Sequence, residues 1–348
     1  MNGLVKTTLS TLQKRFQFSS RDMGFVVSSY DTGSTLCILP ITYMFATGHK
    51  PLVIGLSLLI LAGGTLIYSL PHFLTEPYAI TDITWNDTDK CDTEPCIYST
   101  ANAPDETWVY GFFVVGQFLN GIGAASIRSI GSVYIDENLS QTGAPIAIGY
   151  FMAMGQAVGP AFGFIAGGAL LEFWVDGSDR KPTEITSELW IGNWWLGFTV
   201  AGVCTVVVGL LIAGLPRELK DASAKQYRRV GQHKVDHIEG THDEKKGTMK
   251  YALKSTMVIL TNYTFMCIVF AAAFEDGMIS SVTTYYSKFL EESFDIPAST
   301  SSMTIGVSFI IAAVCAQLIG GFWAGKANPT VKQQLMFCGF SVFMALLR

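Results

Sequence analysis

Seven stretches of the chain are each long and apolar enough to cross a bilayer, and no other feature limits its fold as strongly. They are Met23–Phe45, Leu52–Phe73, Trp108–Ile135, Ala144–Trp174, Leu189–Leu215, Thr256–Phe289 and Ser302–Ala324. A crossing takes ~20 mostly apolar residues to cover ~30 Å of hydrocarbon. An eighth apolar run begins at Leu335 and has only 14 residues before Arg348. Backbone groups in lipid must bond within their own segment, so helices are expected, and no run shows the ~10-residue alternation of a barrel strand. Charged residues make up 15% of the chain, against roughly 25% in a soluble domain, and the mean hydropathy is +0.36. The formal net charge of −5 gives no electrostatic case for nucleic acid. The expectation is an all-α protein whose solvent is the lipid bilayer. Met1–Arg21 shows neither a span nor a signal peptide, and the C-terminus falls inside an apolar run, so the sequence reads as part of a longer chain.

Lys and Arg in the loops predict the orientation, because cytoplasmic loops carry the excess. One side holds Lys50, ten residues between Arg217 and Lys254, Lys326 and Lys332, 13 in all. The other holds Lys90, Arg180 and Lys181, with Lys6, Lys14, Arg15 and Arg21 of the N-terminal stretch, seven in all. The first side is therefore expected to be cytoplasmic. The long acidic loop Leu74–Thr107 then faces an oxidising space, which suits Cys91 and Cys96 as disulfide cysteines, paired to each other or to a cysteine elsewhere. The same loop holds the glycosylation sequon Asn86-Asp87-Thr88. The sequons at Asn138 and Asn262 fall in the membrane or on the cytoplasmic side and read as chance matches. Cys37, Cys204, Cys267, Cys315 and Cys338 sit in apolar runs and are expected to be buried free thiols. The charged stretch Pro216–Ser255 reads as a solvated linker, with contact to anionic lipid as the alternative.

Polar residues inside spans are few, so each is a candidate. Asp31 lies eight residues into the first span, on the order of 12 Å deep, where transporters tend to hold cargo; a structural partner for neighbouring hydroxyls is the other reading. Glu275 and Asp276 fall in the outer half of the sixth span, for ion coupling or for pairing with another helix. Arg128 is expected near the cytoplasmic end of its span as an interfacial cation. Lys288, beside Tyr285 and Tyr286 at an outer end, is either an anchor or a cation that meets an anion. His72, in Leu70-Pro71-His72-Phe73, faces outside and suits a pH-sensitive role or a plain interfacial one. Gly155, Gly159, Gly163 and Gly167 recur every four residues and share a helix face for close packing, with Pro160 predicting a kink. Trp190, Trp194 and Trp195 read as an interfacial belt. No metal-ligand spacing, P-loop, dinucleotide fingerprint or nucleophile elbow appears, so no enzyme, metal or cofactor is expected.

The tryptophan cluster carries a family resemblance. Trp190-Ile191-Gly192-Asn193-Trp194-Trp195-Leu196-Gly197-Phe198 resembles the signature D-x-R-W-I/V-G-A-W-W-x-G-F/L of the organic anion transporting polypeptides. Trp190, Gly192, Trp194, Trp195 and Gly197 match in place; Ser187, Leu189 and Asn193 depart from the Asp, Arg and Ala. Gly121-Ile122-Gly123 with Gly131 through Glu137 resembles the family's fourth helix, Leu70 through Phe73 the outer end of its third, and Gly159 through Phe164 its fifth. The resemblance implies a major facilitator fold of two six-helix bundles, of which this chain supplies helices two to eight and part of nine. Residues 1–215 are then the N-terminal bundle with the end of helix one at Met1–Ser10, residues 216–255 the cytoplasmic linker, and residues 256–348 part of the second bundle. It implies an acid at Asp31, an acid and a Lys at Glu275 and Lys288, and stimulation by acid pH through His72. It also implies a plasma-membrane carrier moving large amphipathic organic anions by alternating access, independently of sodium and in exchange for another anion. A seven-span receptor and a fragment unable to transport are the rival readings; the linker and the tryptophan motif argue against the first.

Overall fold

The computed structural model describes residues 2–45, 48–76, 107–140, 143–175, 190–217, 256–327, 330, 332–334, 336–337 and 339–340. Asn86, Cys91, Cys96 and nearly all of the Pro216–Ser255 linker lie outside the described residues. The described elements are helices: α1 Asn2–Phe16, α2 Ser20–Met44, α3 Lys50–Ser69, α4 Pro71–Leu74, α5 Thr107–Asn138, α6 Gly143–Met152, a π-helical turn Ala153–Val158, α7 Gly159–Leu171, α8 Trp195–Ala213, α9 Tyr263–Phe294 and α10 Ala298–Ala327. Among the described residues, five helical runs are long and apolar enough to cross a membrane: Lys50–Leu74, Trp108–Asn138, Gly143–Leu171, Trp195–Ala213 and Tyr263–Phe294. The expected spans Met23–Phe45 and Ser302–Ala324 lie in α2 and α10, which have 25 and 30 residues. Length suffices in both at 1.5 Å per residue; α2 falls short in apolarity because Ser28 through Thr32, Ser34 and Thr35 make its middle polar.

Close backbone approach holds the helices together. Gly64 of α3 and Gly116 of α5 face each other, and a Cβ on either would lie 2.6–2.8 Å from the other's carbonyl oxygen. Gly121 of α5 lies against the Tyr30 carbonyl and Gly33 of α2 against that of Phe118. Gly55 of α3 faces Gly209 and Ala213 of α8. Small residues allow this where burial of apolar surface cannot drive association, because lipid tails are themselves apolar. A buried polar contact adds to the α3–α5 seam: Thr65 meets Asn120 at 3.0 Å, and Asn120 donates to Gln117 at 3.1 Å. α10 runs along α6, the π turn and α7, with Gly168 against Ser299, Gly306 against Ala161 and Gly321 against Gly149.

The largest departure from expectation is the N-terminal stretch. Instead of a short remnant to Ser10 and an exposed approach to α2, Asn2–Phe16 is a helix whose Val5 and Leu12 are fully buried. Leu4, Val5, Leu9, Leu12 and Phe16 recur at helical spacing on one face, while Lys6, Lys14 and Arg15 lower its average hydropathy. Its buried threonines are satisfied locally, Thr7 donating to the Gly3 carbonyl at 2.9 Å and Thr8 to that of Leu4 at 3.1 Å. Gly3 rests on the Pro160 carbonyl, and Gly163 and Gly167 of α7 receive Gly3, Leu4 and Thr7. Gln17 closes α1 at φ 55°, a left-handed turn that lets α2 fold back. Ser19 and Asp22 cap α2 reciprocally, and the Ser19 hydroxyl and backbone N–H hold the Asp22 carboxyl below the usual carboxylate range.

Other boundaries and contacts also moved. The glycine stripe is not one face: Gly163 and Gly167 meet α1, but Gly155 has nothing within 4 Å. The π turn, where Gly159 N–H reaches Met154 O, shifts the register just before Pro160, and this takes the place of a simple proline kink. The fifth span begins at Trp195 rather than Leu189, because Gly192 bridges to Trp174 and Asn193 N bonds to Phe173 O at the end of α7. Among the described free cysteines none is buried: Cys204, Cys267 and Cys315 are exposed on the chain and Cys37 is half-buried. Asn262 is used as a helix cap, its side chain accepting from Phe265 N at 3.2 Å, and Asn138 is buried, which agrees with reading both sequons as chance.

Candidate functional site

The polar middle of α2, Arg128 of α5, α1 and the exposed half of α9 come together in a cleft. Asp31 lies within electrostatic range of Lys6, Arg128 and Asp276. The Tyr30 hydroxyl interacts with the Arg128 guanidinium and the Asn2 side chain. Lys6 reaches across from α1 to donate to Thr283 of α9. Two cations and a second carboxylate, contributed by three other helices, thus lie within electrostatic range of Asp31 near the middle of α2.

Arg128 is directed to Tyr30 and Asp31. It lies ten residues above the end of α5, about 15 Å, and its long side chain carries the charge to Tyr30 and Asp31. Glu275 and Asp276 are also deeper than expected. Because α9 spans Tyr263–Phe294, they fall just short of its midpoint, toward the Tyr263 end, rather than in its outer half. Glu275 is exposed on α9, and Asp276 is the acid that faces Asp31. Lys6 was missed as a site residue because it had been counted with the loop cations; the apolar spacing of Leu4, Leu9, Leu12 and Phe16 was the available signal that its helix is packed.

At the Trp194 side, α9 is strapped to α1 and to the start of α2. Lys288 donates to Ser20 at 2.8 Å and Gln13 at 3.1 Å and lies 3.5 Å from Glu292. Lys14 pairs with Glu291 at 2.9 Å. A narrow crevice lined by Lys6, Ser10, Gln13, Ser20, Thr284 and Lys288 runs between these contacts and Lys6. Toward the Lys50 side, the stretch of α9 before Ile279 stands exposed, and Lys50 pairs with Glu137 at 2.7 Å between α3 and α5.

The tryptophan motif turns inward instead of forming a belt. Trp194 is 2% exposed and packs on Phe16 and Phe113, with ring centroids 6.0 and 5.9 Å away. Trp190 Nε1 donates to the Leu171 carbonyl at 2.9 Å, and Asn193 N donates to Phe173 O at 2.8 Å. Gly192 is required there, since a Cβ would lie 2.6 Å from Leu171 O. Gly197 lets the Leu4 and Leu170 side chains approach α8. His72 lies flat on Trp195, 4.3 Å between centroids and 8° between planes. The motif locks the loop before α8 onto the end of α7 and holds His72 in place.

An all-α architecture with several helices long and apolar enough to cross a membrane defines a multi-pass membrane protein. The chain matches the Organic Anion Transporter Polypeptide (OATP) family over residues 1–348, and it belongs to that family. It is 30% identical over 352 residues to mouse solute carrier organic anion transporter family member 4A1, covering 100% of this chain and 48% of that protein. It is 28% identical over 353 residues to human member 4C1, covering 99% and 48%. With human member 1C1 the identity is 24% over 381 residues, covering 99% and 53%. The chain thus spans about half the length of these relatives. Members of the family are plasma-membrane transporters, not enzymes.

Proposed function

We propose that the protein to which this chain belongs carries amphipathic organic anions across the plasma membrane by alternating access, independently of sodium and in exchange for a second anion, and that the cleft of Lys6, Tyr30, Asp31, Arg128 and Asp276 is where the anionic group is held. The observation that carries this reading is the meeting of two cations from α1 and α5 with acids from α2 and α9 inside the membrane. An anion leaving water needs compensating charge. With Asp31 and Asp276 opposite Lys6 and Arg128, the empty site is already balanced, and an incoming anion competes with carboxylates for the same cations. The straps of Lys14 and Lys288 suit a conformation closed at the Trp194 side, which is extracellular in this reading, with the Lys50 side cytoplasmic. The chain supplies helices two to eight, most of helix one and part of nine of a major facilitator fold, with residues 216–255 joining the two bundles.

The test is uptake of a labelled organic anion by cells expressing the full-length protein, with surface expression matched. Arg128→Ala and Lys6→Ala raise the half-saturating concentration roughly ten-fold, the scale of one charge-assisted hydrogen bond. Arg128→Lys keeps most of the affinity. Lys288→Glu also weakens it, by removing the cation an anion meets once the strap opens, while Lys288→Arg does not. Unchanged affinity in all the charge-removing variants would overturn the assignment.

A further inference from the structure

A second cavity lies between α6 and α10, far from the charged cleft along the helix axes. Its volume is about 560 Å³, within the ~300–1,000 Å³ of small-molecule sites. Ile146, Tyr150, Leu318, Phe322, Trp323 and Lys326 line it. Gly321 packs on Gly149 at its wall, where a Cβ would lie 2.9 Å from the Gly149 Cα, so the two helices are pinned together beside it. Trp323 is held on its other side by a stack on Phe337, 5.2 Å between centroids. Lys326, in the last turn of α10, sits 4.4 Å over the Phe322 ring and has no acid partner among the described residues. The cavity is thus an aromatic and aliphatic wall ending in a cation that has no acid partner among the described residues.

We propose that this cavity is a binding subsite for an amphipathic organic anion on the Lys50 side of the molecule, its apolar body against Leu318, Phe322 and Trp323 and its anionic group at Lys326. The inference rests on the anion-carrier reading above. The charge pattern selects the occupant: the walls offer burial without hydrogen-bond partners, so a small hydrophilic anion gains nothing from them, whereas a large apolar anion uses both wall and cation. Phe322 places an aromatic face beside the ammonium, which keeps Lys326 from having to be fully hydrated when the anion arrives. A subsite here gives cargo leaving the central cleft, or entering it from the cytoplasm, an intermediate place to rest.

The experiment uses the full-length protein in vesicles of neutral phosphatidylcholine and, separately, of phosphatidylcholine with phosphatidylserine. The probe is 1-anilinonaphthalene-8-sulfonate, an aromatic body with one sulfonate, presented from either face. Uptake of a labelled organic anion from the extracellular face tests the carrier reading by itself. For the subsite, Lys326→Glu and Trp323→Ala each weaken probe binding at the cytoplasmic face roughly ten-fold. Lys326→Arg restores it, and extracellular-face affinity stays unchanged in all three. Cytoplasmic-face binding equal to wild type in Lys326→Glu, or equal loss at both faces, overturns the proposal. An effect of Lys326→Glu seen only when phosphatidylserine is present also overturns it, because the occupant is then a lipid headgroup. Wild-type protein that binds the probe in a Lys326-dependent way but takes up no anion sinks the carrier reading and leaves the subsite standing.

Discussion

His72 lies flat on the Trp195 indole, and this is the residue-scale arrangement with the clearest consequence. A protonated imidazole on an indole face gains a cation–π attraction of about 0.5–1 kcal/mol at an exposed site. Acidification on the Trp194 side therefore tightens the contact that ties the end of α3 to the tryptophan loop. The expected outcome is uptake that rises as the external medium is acidified, with His72→Gln flattening the profile and leaving uptake at high pH intact. A His72→Gln protein with the wild-type pH profile would leave His72 a packing residue only. Arg128 and Lys6 make the complementary point about reach. Their Cα positions give poor guides to where the charge acts, since a long side chain moves the cation by more than one helical turn's rise.

At the scale of elements, glycine spacing and outer ion pairs decide how the helices sit. A methyl group on Gly121 would collide with the Tyr30 carbonyl, while one on Gly111 would meet nothing within 4 Å. Gly121→Ala is expected to cost ~1–3 kcal/mol as overpacking, read as a lower thermal midpoint and reduced surface expression. Gly111→Ala serves as the silent control on the same helix, and equal effects at both positions would refute the packing account. The Lys14–Glu291 pair joins α1 to α9. Partly exposed pairs contribute ~0.2–1 kcal/mol, enough to shift an open–closed balance a few-fold. Lys14→Glu should therefore speed labelling of Ser287→Cys by a membrane-impermeant thiol reagent added outside. Lys14→Glu combined with Glu291→Lys should return the rate to that of the unswapped protein; a double variant as fast as the single one means that the pair is no strap.

For the whole molecule the outstanding quantity is orientation, which a charge count and a loop composition predict and which the packing of helices leaves open. With the Trp194 side outside, Asn86 is expected to be glycosylated and Cys91 and Cys96 to be oxidised. Glycosidase treatment of the full-length protein should raise its mobility, Asn86→Gln should already show the faster band, and thiol labels on intact cells should miss both cysteines. A glycosidase-insensitive protein with both cysteines labelled from the cytoplasm would invert the topology. The same inversion would put the α6–α10 cavity on the extracellular face, so this measurement also fixes which face the anion probe must be given to.

How much was legible in the sequence differs from residue to residue. The span-forming segments of α3, α5, α8 and α9 were plain, because ~20 apolar residues have few other uses. The Trp190–Phe198 motif was legible as a family mark, but its role as an inward-turned clamp on α7 was not. That role depends on Leu171 and Phe173, which are about twenty residues away in sequence and adjacent only in space. α1 was the costliest misreading, since its burial comes from a partner surface at Pro160, Gly163 and Gly167 that no local hydropathy average contains. The amino-acid sequence by itself determined that the chain is helical and membrane-embedded, because lipid leaves unpaired backbone groups no alternative. Only the tertiary structure decided which charges meet. Lys6, Asp31, Arg128 and Asp276 come from four helices, and electrostatic partnership depends on separation in space, which crossing helices set and residue spacing along the chain does not.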